Sequence, residues 1–329
     1  MELRRGRYYM KNNLTRRQVL GIGAATALEL ILEPIFIVAI TQSKVITFEE
    51  ALANLSMRQK YFDQLVSYES SPYVERVIYD HDRSLTKKII ANNINKRFRS
   101  QGFLEQIVNV YLEDPKFKNF NQEEKNSKSV ELVQQLLTSP KIDTLIQREY
   151  KKVESDINGS GMITNLPKID FAKGIKSNIY VFADVFTPYK GKVMLLPPTE
   201  ELVRARLQHE YKHAEDAYHG MNLDNNMKID SSNILLVHPD AYSFVLETRG
   251  YMRAIEFAKK FGVNHSAYLR SINEFDIYLG NWQARNYSSN DFGAYDRELI
   301  SHQCKQIEKI IPEIKRFRKI VEGINDYSK

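Results

Sequence analysis

Residues 208–214 read Gln-His-Glu-Tyr-Lys-His-Ala and contain the pattern His-Glu-x-x-His. If the segment is helical, His209 and His213 are neighbours on one face. Two imidazole nitrogens can then reach a single Zn²⁺. Glu210 is rotated by about 100° from His209, which sets its carboxylate beside the metal. From there it can accept a proton from water activated by the metal. The chemistry such a group supports is metal-assisted hydrolysis, with Glu210 as general base.

The flanking residues support a helix. Thr199 follows Pro197-Pro198 as an N-cap, and Glu200 and Glu201 suit a first turn. Leu202, Val203, Ala205, Leu207, Ala214 and Ala217 give a broad apolar stripe, and Gly220 is placed to stop the helix.

A catalytic zinc site needs a third protein ligand and an open position. With His209 and His213, His219 has a spacing that resembles the metzincin ligand pattern, but that pattern has a glycine, for its helix break, where this chain has Asp216. With Gly220 as the stop, His219 points away from the metal. Glu247 lies on a second expected helix, from an N-cap at Asp240 to a stop at Gly262. It is set among apolar positions, where a carboxylate needs a partner. Gly250 permits close approach of the two helices. Asp216 and Asp224 are the remaining candidates, and Asp216 is better placed to hold a ligand histidine from behind. Tyr251 and His238 are candidate donors to an oxyanion. For each of these residues an ordinary packing or surface role stays open beside the chemical one.

With His209, Glu210, His213 and Glu247 in Glu-Thr-Arg-Gly-Tyr, the chain resembles the zincin metallopeptidases, and within them the gluzincin branch. The resemblance covers roughly residues 175 to 260. It implies Zn²⁺ on His209, His213 and Glu247, and hydrolysis of peptide bonds with Glu210 as base. It also implies an edge strand upstream of the active helix. The β-rich segments Asn178–Phe186 and Lys192–Leu196 stand in that order.

The N-terminus is a second informative region. Thr15-Arg16-Arg17-Gln18-Val19-Leu20 resembles a twin-arginine export signal and is followed by an apolar run over residues 20–40. Glu29, Glu33 and Pro34 interrupt that run, and no clean Ala-x-Ala site follows. A membrane anchor, a cleaved signal and an amphipathic helix all stay open. The expected location is therefore exported or membrane-anchored with the body outside the cytoplasm, and a cytoplasmic location stays open beside it.

The formal charge of +6 is not a nucleic-acid signal once it is located. Residues 1–17 hold six basic residues and one acidic, which leaves 41 basic against 40 acidic in the rest. The body shows no zinc-finger spacing, and no nucleic-acid partner is expected. Its single cysteine, Cys304, excludes an intramolecular disulfide and a cysteine-based zinc site.

The expected fold class is α+β, mostly α: a zincin-like catalytic domain with a small sheet and an N-terminal helical region. The expected divisions are a leader over 1–43, a helical region over 44–155 and a catalytic domain over 156–329. Apolar spacing suggests helices at Phe48–Tyr68, Pro72–Arg99, Phe103–Leu112, Ser129–Leu137 and Ile142–Val153, with a linker at Ser155–Gly161. Two other functions stay open. One is a zincin-like protein that binds a peptide without cutting it. The other is an anchored envelope structural protein whose histidine pair is incidental.

Overall fold

A computed structural model describes residues 45–329, except 114, 165–170, 188, 191–194, 225–226, 286, 288–290 and 327–329. The twin-arginine-like motif, the apolar run over 20–40 and the membrane association expected from them lie outside the described residues. Among the described residues no helix is long and apolar enough to cross a membrane. The chain is α+β and mostly α, and Ile46–Lys329 forms one compact unit.

The N-terminal part departs from the all-helical expectation. Helices α1 (Phe48–Ala53) and α2 (Arg58–Tyr68) are followed by a strand, β1 (Val74–Tyr79), and only then by α3 (Ser84–Phe98). The expected helix over Pro72–Arg99 is therefore two elements. Val74, Val77, Ile78 and Tyr79 suit a pleated surface, and Val74 and Val77 are buried. Helix α4 (Gln101–Leu112) comes next. Helix α5 (Gln122–Thr138) starts earlier than apolar spacing suggests. A capping box explains this: Asn121 accepts from the Glu124 N–H at 2.9 Å, and Glu124 accepts from the Asn121 N–H at 2.8 Å. Helix α6 (Lys141–Gly159) runs through most of the expected linker.

Strand β2 (Met162–Thr164) pairs antiparallel with β3 (Ser177–Val181), and β1 pairs parallel with the other side of β3, giving the order β1-β3-β2. Strand β3 is central and apolar on both faces. Ile179 and Val181 pack with Phe62, Val203, Leu207 and Tyr211, while Tyr180 and Phe182 pack with Ile90, Val108 and Ile157 from the helical region. The short strands β4 (Tyr189–Lys190) and β5 (Leu195–Leu196) form a two-stranded ribbon.

Helix α7 (Glu200–His219) then lies across the sheet. Its ends match the sequence reading. Thr199 Oγ1 accepts from the Leu202 N–H at 3.3 Å. Gly220 closes the helix at φ +83, and a Cβ there would lie 2.8 Å from the Ile229 carbonyl oxygen. Glycine is required at this position by both conformation and space.

The hairpin β6 (Met221–Asp224) and β7 (Met227–Ile229) leads to α8 (Pro239–Lys259). The N-cap of α8 is His238 rather than Asp240. The His238 Nδ1 accepts from the Asp240 N–H at 3.2 Å, and Pro239 occupies the first turn, where a missing N–H costs nothing. Helices α9 (Ser266–Gln283), α10 (Ala294–Glu308) and α11 (Ile311–Asp326) complete the chain. The break before α11 falls at Lys309 and Ile310, and Pro312 sits in the first turn of α11. Leu202 and Ala205 of α7 share a core with Phe244, Ile255, Ile272 and Phe275 of α8 and α9. Helix α7 is thus held between the sheet on one side and α8 and α9 on the other.

Candidate metal centre

Helix α7 brings His209 and His213 to the face that meets α8, and α8 brings Glu247 to the same point. The His209 Nε2 lies 3.3 Å from one Glu247 carboxylate oxygen, and the His213 Nε2 lies 3.6 Å from the other. One ligand atom from each residue falls within 4.8 Å of the others, and no further residue joins the group among those described. Tetrahedral zinc with bonds of about 2.0–2.2 Å separates its ligand atoms by about 3.3–3.6 Å. Two imidazoles and one carboxylate are also the donor types that catalytic zinc takes. The residues present therefore fit such an ion. Side-chain exposure is 12% for His209, 6% for His213 and 32% for Glu247. The two imidazoles are largely covered, and Glu247 is the most exposed of the three side chains.

Gly250 sets the helix spacing at this point. A Cβ there would lie 2.8 Å from the Cε1 and Nε2 of His209 and 2.8 Å from the Cε1 of His213. The two rings occupy the volume that any larger residue would fill. The close approach expected of Gly250 is thus an approach to both candidate ligands.

Electrostatics favour an ionised Glu247. Burial alone would raise its pKa, but the adjacent His213 and His209 overcome that and hold the carboxyl far below its usual range. Burial disfavours a charged His213, yet Glu247, Glu210 and Asp216 together leave its pKa raised. The pocket therefore favours a positive charge between these side chains. A divalent cation would supply that charge while both imidazoles stayed neutral.

No family model matches this chain, and no curated protein or solved structure is similar to it.

Glu210 is buried on α7 beside the pair. Its carboxylate accepts a hydrogen bond from the Thr164 hydroxyl at 2.6 Å, and its main-chain oxygen lies 3.1 Å from the same hydroxyl. Sequence reasoning misses Thr164. It stands 46 residues from Glu210, and no local pattern links the two.

Tyr251 is one turn beyond Glu247. Its ring meets the His209 ring edge-on at 4.6 Å and stacks on Phe275 at 5.5 Å. Burial, with Glu247 nearby, holds its phenol pKa well above the ordinary value, so the hydroxyl keeps its proton. His238 is not brought into the group. Its Nδ1 is committed to capping α8, its ring packs on Phe292, and it lies nine residues before Glu247, about 13 Å along the helix.

His219 and Asp216 do not join the candidate metal group either. His219, the last residue of α7, is exposed, and its ring packs on Tyr73 at 4.9 Å. Asp224 ends β6 in the hairpin that follows α7. Asp216 does not hold a ligand histidine. Arg249 donates two hydrogen bonds of 2.7 Å to its carboxylate, and the Lys212 Nζ lies 3.1 Å away. Asp216 is buried, so this bidentate pair fixes α7 against α8 close in sequence to the candidate ligands His213 and Glu247. The Nδ1 of His213 is buried without a hydrogen-bond partner among the described residues. A shallow cavity of about 230 Å³, lined by α4 and α5 residues such as Glu105, Asn109 and Val133, shares no residue with this group. It offers polar side chains but no converging ligand set, and we place no chemistry there.

Proposed function

We propose that the protein is a zinc-dependent peptidase. The observation that carries this reading is the convergence of His209, His213 and Glu247 from two helices, with the buried carboxylate of Glu210 next to the pair. Zinc would be held by the Nε2 atoms of both histidines and by the Glu247 carboxylate. When bound, it supplies Lewis acidity, which makes water acidic near neutral pH and stabilises negative charge on a substrate carbonyl oxygen.

The chain supplies the rest. Glu210 takes the proton of the attacking water and passes it to the leaving amine. Tyr251, kept protonated by burial and by Glu247, is the candidate donor to the developing oxyanion. The Asp216–Arg249 pair holds the two helices in register, and Gly250 leaves room for both imidazoles. The substrate is a peptide or protein.

Glu210→Gln keeps the size of the side chain and removes the base. With casein as a broad substrate, turnover should fall by about 10²-fold or more while zinc content stays unchanged. Equal cleavage by wild type and variant would point to a contaminating protease and leave the peptidase reading without support. Loss of zinc in the variant would make Glu210 part of the metal's hold, and its assignment as base would be withdrawn. Full zinc occupancy without any cleavage would favour a protein that binds peptides through the same centre.

A further inference from the structure

Thr164 is the last residue of β2, an edge strand tied to β3 in the register Met162–Val181, Ile163–Tyr180 and Thr164–Ile179. Strand β3 is buried on both faces, so β2 is anchored to a rigid element. Thr164 is β-branched, which restricts its χ1 and fixes the direction of its hydroxyl. That hydroxyl has one proton and two acceptors, both on Glu210: a carboxylate oxygen at 2.6 Å and the main-chain oxygen at 3.1 Å. The shorter contact has the length of a hydrogen bond to a charged acceptor. Among the described residues it is the hydrogen bond that the Glu210 carboxylate receives.

We propose that Thr164 is a positioning residue for Glu210. By holding one carboxylate oxygen, it turns the other toward the space beside His209 and His213. This inference rests on the peptidase reading above, because it assigns Glu210 the role of base.

The probe is acetohydroxamate, a zinc chelator whose hydroxamate N–H and O–H can hydrogen-bond a neighbouring carboxylate. Its affinity for zinc-loaded full-length protein reports the placement of Glu210 without any need for a peptide substrate. Thr164→Val should weaken binding about 10- to 100-fold, with zinc content unchanged. Thr164→Ser, which keeps the hydroxyl, should restore most of it. Thr164→Ala serves as a second test should the valine variant not fold. In a Glu210→Gln background, Thr164→Val should add no further loss, since it acts only through the carboxylate.

Wild-type affinity in a folded Thr164→Val or Thr164→Ala protein would overturn the proposal while leaving the peptidase reading intact. An equal additional loss in the Glu210→Gln background would also overturn it, because Thr164 would then act through packing. If wild type and Glu210→Gln bind the probe equally, Glu210 is not the base, and the peptidase reading falls together with this inference.

Discussion

Glu247→Gln should lower zinc affinity by more than about 100-fold while leaving the fold intact. Removing even a residue that only supports a metal ligand commonly costs 10- to 100-fold, and Glu247 is placed to touch the metal itself. Glutamine fits the same space but carries no charge, and the negative group that would balance the cation is lost. His219→Ala is the matched control. His219 lies at the end of α7 against Tyr73, so its removal should leave zinc affinity unchanged. The comparison is read by competition with a chelator of known strength. A larger loss for His219→Ala than for Glu247→Gln would reassign the third ligand and contradict the helix end at Gly220.

Gly250→Ala should separate stability from metal binding. Alanine inside a helix is favoured over glycine by about 1 kcal/mol, so the metal-free variant should unfold at the same temperature as wild type or a higher one. The added methyl carbon would lie 2.8 Å from atoms of both His209 and His213. The rings are the far ends of flexible side chains and can swing aside at little cost to the fold. They cannot do so and still converge with Glu247. Zinc affinity should therefore fall by at least about 10- to 100-fold, as for other disturbances of ligand orientation. Thermal unfolding with and without zinc measures both quantities. A variant that binds zinc as wild type does would show that the two helices are not confined at this point.

The parts of this site that local sequence encodes are legible in it. Thr199 and Gly220 delimit α7, and their roles follow from single-residue chemistry. The spacing of His209 and His213 follows from the helical repeat. Gly250 reads as a point of close approach because its missing side chain has little other use inside a helix. What is not legible depends on pairing across long distances. Strand β1 falls inside a stretch whose apolar spacing reads as one helix, because the partner that fixes it as a strand is β3, about a hundred residues later in the chain. Spacing puts Asp216 behind a histidine, but the guanidinium of Arg249, on another helix, takes both of its oxygens. Residue type alone suggests His238 as a donor to the reaction, whereas its ring nitrogen caps α8. That cap shows the same limit in another form: the sequence suggests Asp240 for the place, and a histidine two residues earlier takes it. Thr164 carries no signal of its own and acquires its contact only when β2 is laid against α7.

The central claim is that His209, His213 and Glu247 hold one zinc ion. The most direct test is elemental analysis of the purified protein beside its His213→Ala variant. About one zinc per wild-type chain is expected, and none retained by the variant. A wild-type protein that is folded yet takes up no zinc, even when zinc is supplied, would contradict it.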